Sequence, residues 1–216
     1  TVEGANILTR SLIIFGQGAI RCHPFVLKEM QAAHENSIEN FDAAFFGHIT
    51  FTVSNAARAL WMGISGGRGL AAPACADTKR YYQQMTRFSS AFALLADVSM
   101  FVIGGSLKRK EKLSARLGDV LSLLYLSSCV LKFYDSQGRQ RDELPLLRWA
   151  LHDSFVKLQV AMDGIIANFP NRFVAWWLRL LVFPRGLTLI APSDQMGHEV
   201  AELLINPTAA RAWQPA

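Results

Sequence analysis

The sequence predicts an all-α protein folded as an antiparallel helical bundle. Apolar residues recur at spacings of three and four along most of the 216 residues, whereas extended alternating runs are scarce. This spacing places the apolar side chains on one face of each helix, as amphipathic helices require. Three long helical segments are joined by short connections, which favours antiparallel neighbours.

Three helices are predicted in the first third of the chain. The first covers about residues 5–15 and ends near two glycines. A short second helix follows Pro24, because proline is favourable in the first turn of a helix. The third begins near Ser37 and continues to about Met62, and the glycine-rich segment GISGGRGLAAPA after it indicates a loop.

Three longer segments are predicted to form the body of the bundle. Asp77 caps the first of these longer helices, and a glycine pair at 104–105 ends it. The second begins at Ser106 and ends before the turn DSQGR, and Asp142 caps the third, which runs to about residue 169. The positions expected to be buried on the first two are Tyr81, Met85, Phe88, Phe92, Leu95, Val98, Leu113, Leu117, Val120, Leu121 and Leu124.

The C-terminal segment NRFVAWWLRLLVFPRG differs from the rest in its aromatic content. It places aromatic and leucine side chains between Arg172 and Arg185. Trp176 and Trp177 suit an interfacial helix in the headgroup region of a membrane. They suit a buried helix or a subunit contact equally well. A final short helix is predicted to begin near Asp194.

Composition limits the classes of function. With 51% hydrophobic and 18% charged residues, the chain is not a disordered tail. The formal net charge of +5 favours an anionic partner, which by charge alone could be a coenzyme, a phospholipid or a nucleic acid. A nucleic-acid site should add exposed aromatic residues or a recognisable binding motif. Neither is evident, so we expect no nucleic-acid partner.

The cysteines and histidines indicate neither a disulfide framework nor a metal site. An odd number of cysteines without paired spacing favours a reducing compartment. The sequence has no C-x-x-C pair, and its histidines show no ligand pairing at helical spacing, so we expect no metal. The cysteines are Cys22, Cys75 and Cys129. We interpret four residues as core or surface residues rather than catalytic ones: His23, His48, His152 and Cys129.

No membrane-spanning segment is expected. A transmembrane helix needs ~18 or more apolar residues with few charges. The best uncharged runs, residues 43–57 and 120–131, are shorter than this or contain a histidine. The chain also begins without a methionine, and we expect it to be an internal piece of a longer protein.

A basic run lies in GGSLKRKEKLSAR. It is predicted to place Lys108, Arg109, Lys110 and Lys112 in the first turns of a helix, with Glu111 as the only acid. Positive charge at a helix N-terminus opposes the macrodipole at a cost of ~0.3–1 kcal/mol per group. The run is either a solvated face or an anion site, the latter suited to phospholipid headgroups at ~1 kcal/mol per basic residue.

The opening TVEGANILTR resembles the E-G-T-N-x-I-x-R segment of acyl-CoA dehydrogenases. The runs DTKRYYQ, ALLADVSM, GGSLKRKEKLSARLGDVLS, NFPNR and LIAPSD resemble the C-terminal region of the bacterial FadE-type members, which act in fatty-acid β-oxidation. The resemblance covers nearly the whole chain. It implies the all-α bundle of an acyl-CoA dehydrogenase C-terminal region.

The resemblance implies that Glu3 is the catalytic base. In this family the glutamate removes the pro-R α-proton of a fatty acyl-CoA while the β-hydrogen leaves as hydride to flavin N5, which gives the trans-2-enoyl-CoA. The acyl chain displaces water, and desolvation raises the carboxyl pKa from about 4.3. The backbone N–H of Glu3 is one donor to the thioester oxygen, and Gly4 lets the thioester lie close to the backbone.

Two neighbouring positions add to this comparison. Ala5 stands where the family usually has threonine, so a hydroxyl that contacts flavin in other members is absent. Arg10 matches the family arginine in position. Most of the flavin site and much of the acyl pocket would lie upstream, so we expect the 216-residue chain alone to be inactive.

The resemblance also implies the setting of the reaction. The cofactor is FAD, the substrate a medium- or long-chain fatty acyl-CoA, and the acceptor an electron-transfer flavoprotein or an equivalent. Residues 1–35 form the end of the catalytic helical domain, and residues 36–216 an additional C-terminal helical domain. Related very-long-chain enzymes carry such a domain in association with membranes. We therefore expect a homo-oligomer in the cytoplasm, peripheral at the inner membrane.

A second hypothesis belongs to another class of function. The chain is then a non-catalytic helical module that binds a membrane surface or a partner protein, and Glu3 is an incidental surface acid. The basic run and the Trp176–Trp177 segment are the features that favour it.

Overall fold

The computed structural model describes residues 2–9, 18–73 and 76–206. These residues form α-helices and 3₁₀ turns with no β-strand among them, as the sequence predicts. The described helices are α1 (Val2–Leu8), α2 (Ala19–Cys22), α3 (Val26–His34), α4 (Ile38–Ser65), α5 (Ala76–Ile103), α6 (Glu111–Ser136), α7 (Leu144–Ala167), α8 (Arg172–Val182) and α9 (Asp194–Ile205).

The ends of several helices follow the signals in the sequence. Ser37 is in an extended conformation immediately before α4, and α4 ends at the left-handed Gly66. Asn171 caps α8 by accepting the backbone N–H groups of residues 173 and 174, and Ser193 accepts from Met196 at the start of α9. These short polar side chains satisfy N–H groups that have no partner within the helix.

Three predicted helix starts differ from the structure. The first helix spans Val2–Leu8, while residues 10–17 lie outside the described part of the chain. Asp77 lies inside the first turn of α5 rather than at its cap, because the helix already includes Ala76. Asp142 belongs to a 3₁₀ turn, Arg141–Glu143, and α7 begins only after it.

The junction between α5 and α6 also differs from the prediction. Gly104 has a φ of 56°, the left-handed conformation that ends α5 as expected. A 3₁₀ helix then covers Gly104–Arg109, and α6 begins at Glu111 rather than at Ser106. Lys108 and Arg109 are therefore in the 3₁₀ helix and not in the first turn of an α-helix. An acidic residue at the start of α6 is favourable to the helix dipole.

The core is formed by α5, α6 and α7, with α8 and part of α4 packed against them. The connection between α6 and α7 is short, so the two helices pack as antiparallel neighbours over much of their length. Fully buried side chains of the main cluster include Leu94, Leu95, Leu117, Leu158, Met162, Ile165 and Ile166. Leu121, which the helical pattern assigned to the core, is 38% exposed.

A buried amide attaches the loop after α8 to α7. The Oε1 atom of Gln159 accepts the backbone N–H groups of Thr188 and Leu189, each at 3.0 Å. Its Nε2 donates to the carbonyl oxygen of Leu189 at 2.9 Å. Because Gln159 is only 3% exposed, these three bonds are shielded from water and hold the loop in one position.

Helices α3 and α4 form the side of the bundle that carries the charged network described below. They pack against each other across the short turn at residues 35–37, and α4 in turn packs against α5. The predicted domain boundary between residues 35 and 36 falls in this turn and stays a prediction.

Two helical stretches, Ala76–Arg109 and Glu111–Ser136, are long and apolar enough to cross a membrane by length and composition. From the sequence we expect no segment long enough to cross a membrane, and these two helical stretches differ from that expectation in length. Core helices of soluble proteins satisfy the same limits. Here α5 and α6 pack against each other and each packs against α7.

A pair of substitutions on α7 tests the assignment of the core. Leu158 is fully buried, so Leu158→Ala should lower the free energy of unfolding by about 2–5 kcal/mol, because it removes apolar contacts and leaves a cavity. Val160→Ala, on the 60% exposed side chain two residues away, should change it by less than about 0.5 kcal/mol. Urea denaturation followed by circular dichroism measures both, and equal losses would contradict the described packing of α7.

Candidate functional site

The predicted catalytic base and the predicted substrate-binding glycine beside it lie on the exposed surface of α1. Glu3 and Gly4 are both exposed, and a Cβ atom added to Gly4 would meet no atom within 4 Å. Neither residue lines the principal cavities of the described part of the chain. The residues present therefore do not form a flavin site around Glu3 by themselves. Arg10 lies outside the described residues.

The basic run forms an exposed cluster at the α5–α6 junction. Lys108, Arg109, Lys110 and Lys112 are all exposed, and no ion pair found among the described residues involves them. Lys110 separates the 3₁₀ helix from α6, so only Lys112 lies in the first turn of an α-helix. No ion pair neutralises the cluster in the described part of the chain. Both interpretations of the run, a solvated face and an anion site, therefore stay open.

Helix α8 presents an aromatic face to solvent. Phe173, Trp176 and Trp177 are 69%, 58% and 44% exposed, whereas Leu178 and Val182 on the opposite face are buried. The rings of Trp176 and Trp177 meet edge to face with centroids 5.0 Å apart. The core interpretation of the two tryptophans is therefore wrong within the described chain, and a subunit contact or a membrane surface remains.

A charged network that sequence reasoning missed joins α3, α4 and α5. We call it the histidine–carboxylate network, and its members are His23, Glu29, His48, Thr52 and Asp97. Asp97 is only 2% exposed, although a lone ionised carboxylate is costly to bury. The other members supply the hydrogen bonds and the positive charge that compensate this cost.

His48 is the centre of the network. Its Nδ1 donates to Glu29 Oε1 at 2.8 Å, and its Nε2 donates to Asp97 Oδ1 at 2.7 Å. Because each ring nitrogen faces a carboxylate oxygen, both carry protons and the ring is an imidazolium. The hydroxyl of Thr52 donates to the other oxygen of Asp97. One residue from α4 thus links α3 to α5 through two charged hydrogen bonds.

His23 plays a different part in the same network. Its Nδ1 accepts the backbone N–H groups of Phe25 at 3.3 Å and Val26 at 3.1 Å, so the ring caps the start of α3. A neutral imidazole with Nδ1 as acceptor carries its proton on Nε2. That atom lies 3.2 Å from Asp97 Oδ1, within ion-pair distance, although the orientation of the ring is poor for a hydrogen bond.

The pKa values of the two histidines shift in opposite directions, although burial lowers both. Burial lowers the pKa of His48, but the hydrogen bonds to Asp97 and Glu29 outweigh it, so the pKa lies above the ordinary value of 6.5. Burial also lowers the pKa of His23, and the nearby charge of His48 lowers it further, against the pull of Asp97. The raised pKa of His48 and the lowered pKa of His23 agree with the hydrogen bonding, in which His48 is the protonated ring and His23 the neutral one.

The same residues raise the question of a metal ion. Ligand atoms of His23, His48 and Asp97 all lie within 4.8 Å of one another, a spacing that a metal could bridge. A metal ligand must offer a lone pair, however, and metal binding releases protons. His48 carries a proton on each nitrogen, and the backbone donors at Nδ1 of His23 place its proton on Nε2. This hydrogen bonding favours a proton-holding network over a metal centre.

An apolar cavity of about 460 Å³ borders the network. His23 and Asp97 contribute to its wall, and Phe51, Phe92 and Met100 are among the apolar residues that line it. Low polarity on this side strengthens the charged hydrogen bonds, because apolar walls lower the local dielectric constant.

The network could not be found from spacing, since its members come from three helices and from the turn before α3. His48 and Asp97 are 49 residues apart, and no local motif joins them. A signal was present nonetheless. Asp97 is a single carboxylate in the apolar run ALLADVSM, and His48 is a single titratable residue in the apolar run AAFFGHITFTV. Isolated polar residues on buried faces require partners.

The pH dependence of stability tests the protonation of His48. Because its folded pKa is raised, its stabilisation is fully present below pH 6.5 and is lost as the pH rises through the folded pKa. His48→Gln should lower the free energy of unfolding by about 3 kcal/mol near pH 6.5, since it leaves two carboxylates without a positive charge. The difference between wild type and variant should shrink as the pH rises, measured by denaturant titrations at each pH.

His34→Gln is the matched control for this measurement. His34 is an exposed histidine on α3 outside the network, so its substitution should leave both the stability and the pH profile of the wild type unchanged. A His48→Gln difference that stayed constant across the same pH range would show that His48 is not an imidazolium in the folded state.

Comparison with known protein families gives one match over most of the chain. Residues 20–214 match the family described as acyl-CoA dehydrogenase, C-terminal, bacterial type. No solved structure matches the chain. The matched range includes α3 to α9, all but the first residue of α2 and the whole histidine–carboxylate network, and it begins after Glu3 and Gly4. The chain belongs to the family of bacterial-type acyl-CoA dehydrogenase C-terminal domains.

Proposed function

We propose that this chain is the C-terminal part of an FAD-dependent acyl-CoA dehydrogenase and that Glu3 is its catalytic base. The supporting observation is the family match over residues 20–214, which follows an E-G segment like that of the catalytic glutamate in the family. Acyl-CoA dehydrogenases generally use FAD and act on acyl-CoA thioesters. The finer assignment to medium- or long-chain fatty acyl-CoA, with the trans-2-enoyl-CoA as product, is part of this proposal.

The role of Glu3 follows from what a carboxylate needs in order to remove a C–H proton. An exposed carboxylate such as Glu3 is a weak base in water. An apolar acyl chain that covers it would displace water and raise its basicity. The backbone N–H of Glu3 would donate to the thioester oxygen and stabilise the negative charge that develops on it.

Gly4 contributes free space beside this backbone. A Cβ atom at this position would meet nothing within 4 Å in the described structure, so the surface next to Glu3 is open. A thioester could approach the backbone there without displacing any part of the chain. An opposing surface is required to close the site, because α1 alone does not exclude water.

The proposal extends to the partners of the enzyme. The family generally assembles into oligomers, and we propose a homo-oligomer. The electron acceptor is an electron-transfer flavoprotein or an equivalent carrier, and the enzyme is cytoplasmic and peripheral at the inner membrane.

Substitution of Glu3 tests the catalytic assignment. In the longer enzyme, Glu3→Gln should lower kcat for dehydrogenation by about 10²–10⁴-fold, the usual contribution of a general base. The amide has nearly the same shape but cannot accept the proton, so acyl-CoA binding should be retained. Reduction of an artificial electron acceptor measures turnover, and isothermal calorimetry measures binding.

Glu39→Gln is the matched control for Glu3→Gln. Glu39 is an exposed glutamate in the first turn of α4, so its variant carries the same charge change away from α1. It should retain the turnover of the wild type. Unchanged turnover in Glu3→Gln would contradict the role of Glu3 and favour the non-catalytic alternative.

A second candidate function is peripheral binding to an anionic membrane surface. The observation that favours it is the exposed aromatic face of α8, formed by Phe173, Trp176, Trp177 and Leu180. Tryptophans at such positions suit the interface between headgroups and acyl chains. The exposed basic cluster of residues 108–112 would add electrostatic attraction to anionic lipids.

Vesicle flotation tests this second function. The double variant Trp176→Ser with Trp177→Ser should bind vesicles of phosphatidylglycerol and phosphatidylcholine about tenfold more weakly, because it removes apolar area that would enter the interface. Tyr125→Ser, on a 68% exposed aromatic residue of α6, is the control and should bind like the wild type. Equal flotation of all three proteins would contradict a membrane role for α8.

A further inference from the structure

Four arginines line a small pocket at the C-terminal end of α4, away from the part of α4 that joins α3 in the histidine–carboxylate network. We call it the arginine pocket, and its volume is about 170 Å³. It lies between the loop that follows α4, the first half of α5 and the loop that follows α8. The arginines in its wall are Arg68, Arg80, Arg87 and Arg185.

The sequence brings these arginines together through helix geometry and one close glycine contact. Arg80 and Arg87 are seven residues apart on α5, so they share one face of the helix. Arg68 is held nearby because the backbone of Gly67 lies against α5. A Cβ atom at Gly67 would lie 2.8 Å from the carbonyl oxygen of Gln83, and its φ is 75°.

Two of the four guanidinium groups are poorly paired for the extent of their burial, although that of Arg87 also lies over the Phe88 ring, 5.2 Å from its centroid. Arg87 is only 5% exposed, and the acceptor found for it is Gln84 Oε1 at 3.4 Å, the long limit of a hydrogen bond. The Nη1 atom of Arg80 is buried and has no hydrogen-bond partner. Buried cations are normally paired, because an unpaired one loses its hydration without compensation.

No carboxylate neutralises the pocket. The 17 acidic side chains of the sequence all belong to the described residues, so none is hidden in the undescribed segments. Among the ion pairs in the described part of the chain, none involves the four arginines. Asp77, at the start of α5, pairs with Arg148 instead.

The C-terminus of α4 supplies some negative potential at the pocket. The Nη1 atom of Arg185 donates to the carbonyl oxygen of Ile64 at 3.4 Å. A helix C-terminus is equivalent to roughly half a negative charge. Half a charge cannot balance four guanidinium groups, so most of the positive charge stays uncompensated.

The charges also act on one another. Burial lowers the pKa of Arg87, and the positive charges of Arg80 and Arg185 lower it further. Burial lowers the pKa of Arg80 as well, with an added effect from Arg68. Arginine nevertheless remains protonated at neutral pH. The folded chain therefore concentrates repelling charges in a place where a bound anion would relieve the repulsion.

We infer that the arginine pocket binds a phosphate group, a function beyond the dehydrogenase reaction and independent of Glu3. Guanidinium groups bind phosphate through paired N–H donors. A site with four guanidinium groups suits a doubly charged phosphate better than it suits a singly charged carboxylate. Pockets for drug-sized ligands begin near roughly 300 Å³. A pocket of about 170 Å³ accordingly suits a phosphate group and not a whole nucleotide. The phosphate can come from a free phosphate ester or from a lipid headgroup.

Thermal unfolding in phosphate tests this inference on the 216-residue chain. Sodium phosphate should raise Tm relative to sodium chloride at equal ionic strength, because a ligand that binds only the folded state stabilises it. Arg87→Gln and Arg80→Gln should each raise the apparent Kd for inorganic phosphate by about tenfold or more. Arg141→Gln is the matched control, since Arg141 is exposed and outside the pocket.

The exposed arginines keep the test decisive if a buried variant fails to fold. Arg68→Gln and Arg185→Gln should leave Tm unchanged or raise it in chloride, because each relieves repulsion, and should reduce the gain in phosphate. A purely structural arginine would lower Tm equally in both buffers. Equal losses in chloride and phosphate, or no stabilisation of the wild type by phosphate, would overturn the inference.

Two further arms identify the source of the phosphate. Glycerol 3-phosphate represents a soluble ester, and phosphatidylcholine vesicles with phosphatidic acid represent a lipid headgroup. Stabilisation by glycerol 3-phosphate without flotation indicates a free ester. If Arg185→Gln no longer floats with the vesicles while the tryptophan double variant still does, the pocket binds a lipid headgroup. Either of these two results supports the inference.

Discussion

The burial of α5 against α4, α6 and α7 is the constraint on which the rest of the structure depends. This helix carries charge at both ends of its buried face, with Arg87 in its first half and Asp97 in its second. A buried charge needs a partner, and the partners must come from elements packed around the helix. The positions of α3, α4 and the loop after α8 are therefore tied to α5 by electrostatics as well as by apolar contact.

The two ends of α5 meet this requirement differently. At Asp97 the chain provides its own counter-charge, because His48 and Thr52 on α4 donate to both carboxylate oxygens. At Arg87, α5 itself adds Arg80, and the surrounding loops add two more arginines and no carboxylate. One end is closed electrostatically and serves to join helices. The other is open, which is the arrangement expected where a ligand completes the structure.

The sequence predicted the architecture well and the charged sites poorly. Helical periodicity located α4 to α9 within a few residues, helped by start and end signals such as Ser37 and Gly104. The family resemblance is confirmed over residues 20–214, while the roles of Glu3 and Gly4 stay predictions. The histidine–carboxylate network and the arginine pocket escaped because each joins residues from distant parts of the chain, and spacing along a sequence carries no information about such contacts.

The basic run shows a second limit of periodicity. Its charges are equally compatible with an α-helix and with a 3₁₀ helix. Only the backbone conformation shows that Gly104–Arg109 adopts the tighter 3₁₀ form. Leu121 shows the same limit, because an apolar residue at the edge of a helical stripe can face solvent without a large cost. Position in the stripe predicts burial at its centre more reliably than at its margins.

The triple hydrogen bonding of Gln159 has a chemical consequence for ageing protein. Its side chain fixes Thr188 and Leu189, which form part of the wall of the arginine pocket. Hydrolysis of that amide to glutamate would preserve both acceptor bonds, abolish the single donor bond and add a negative charge behind the wall. One slow covalent change on α7 would then supply an internal negative charge next to the loop that lines a cluster of cations.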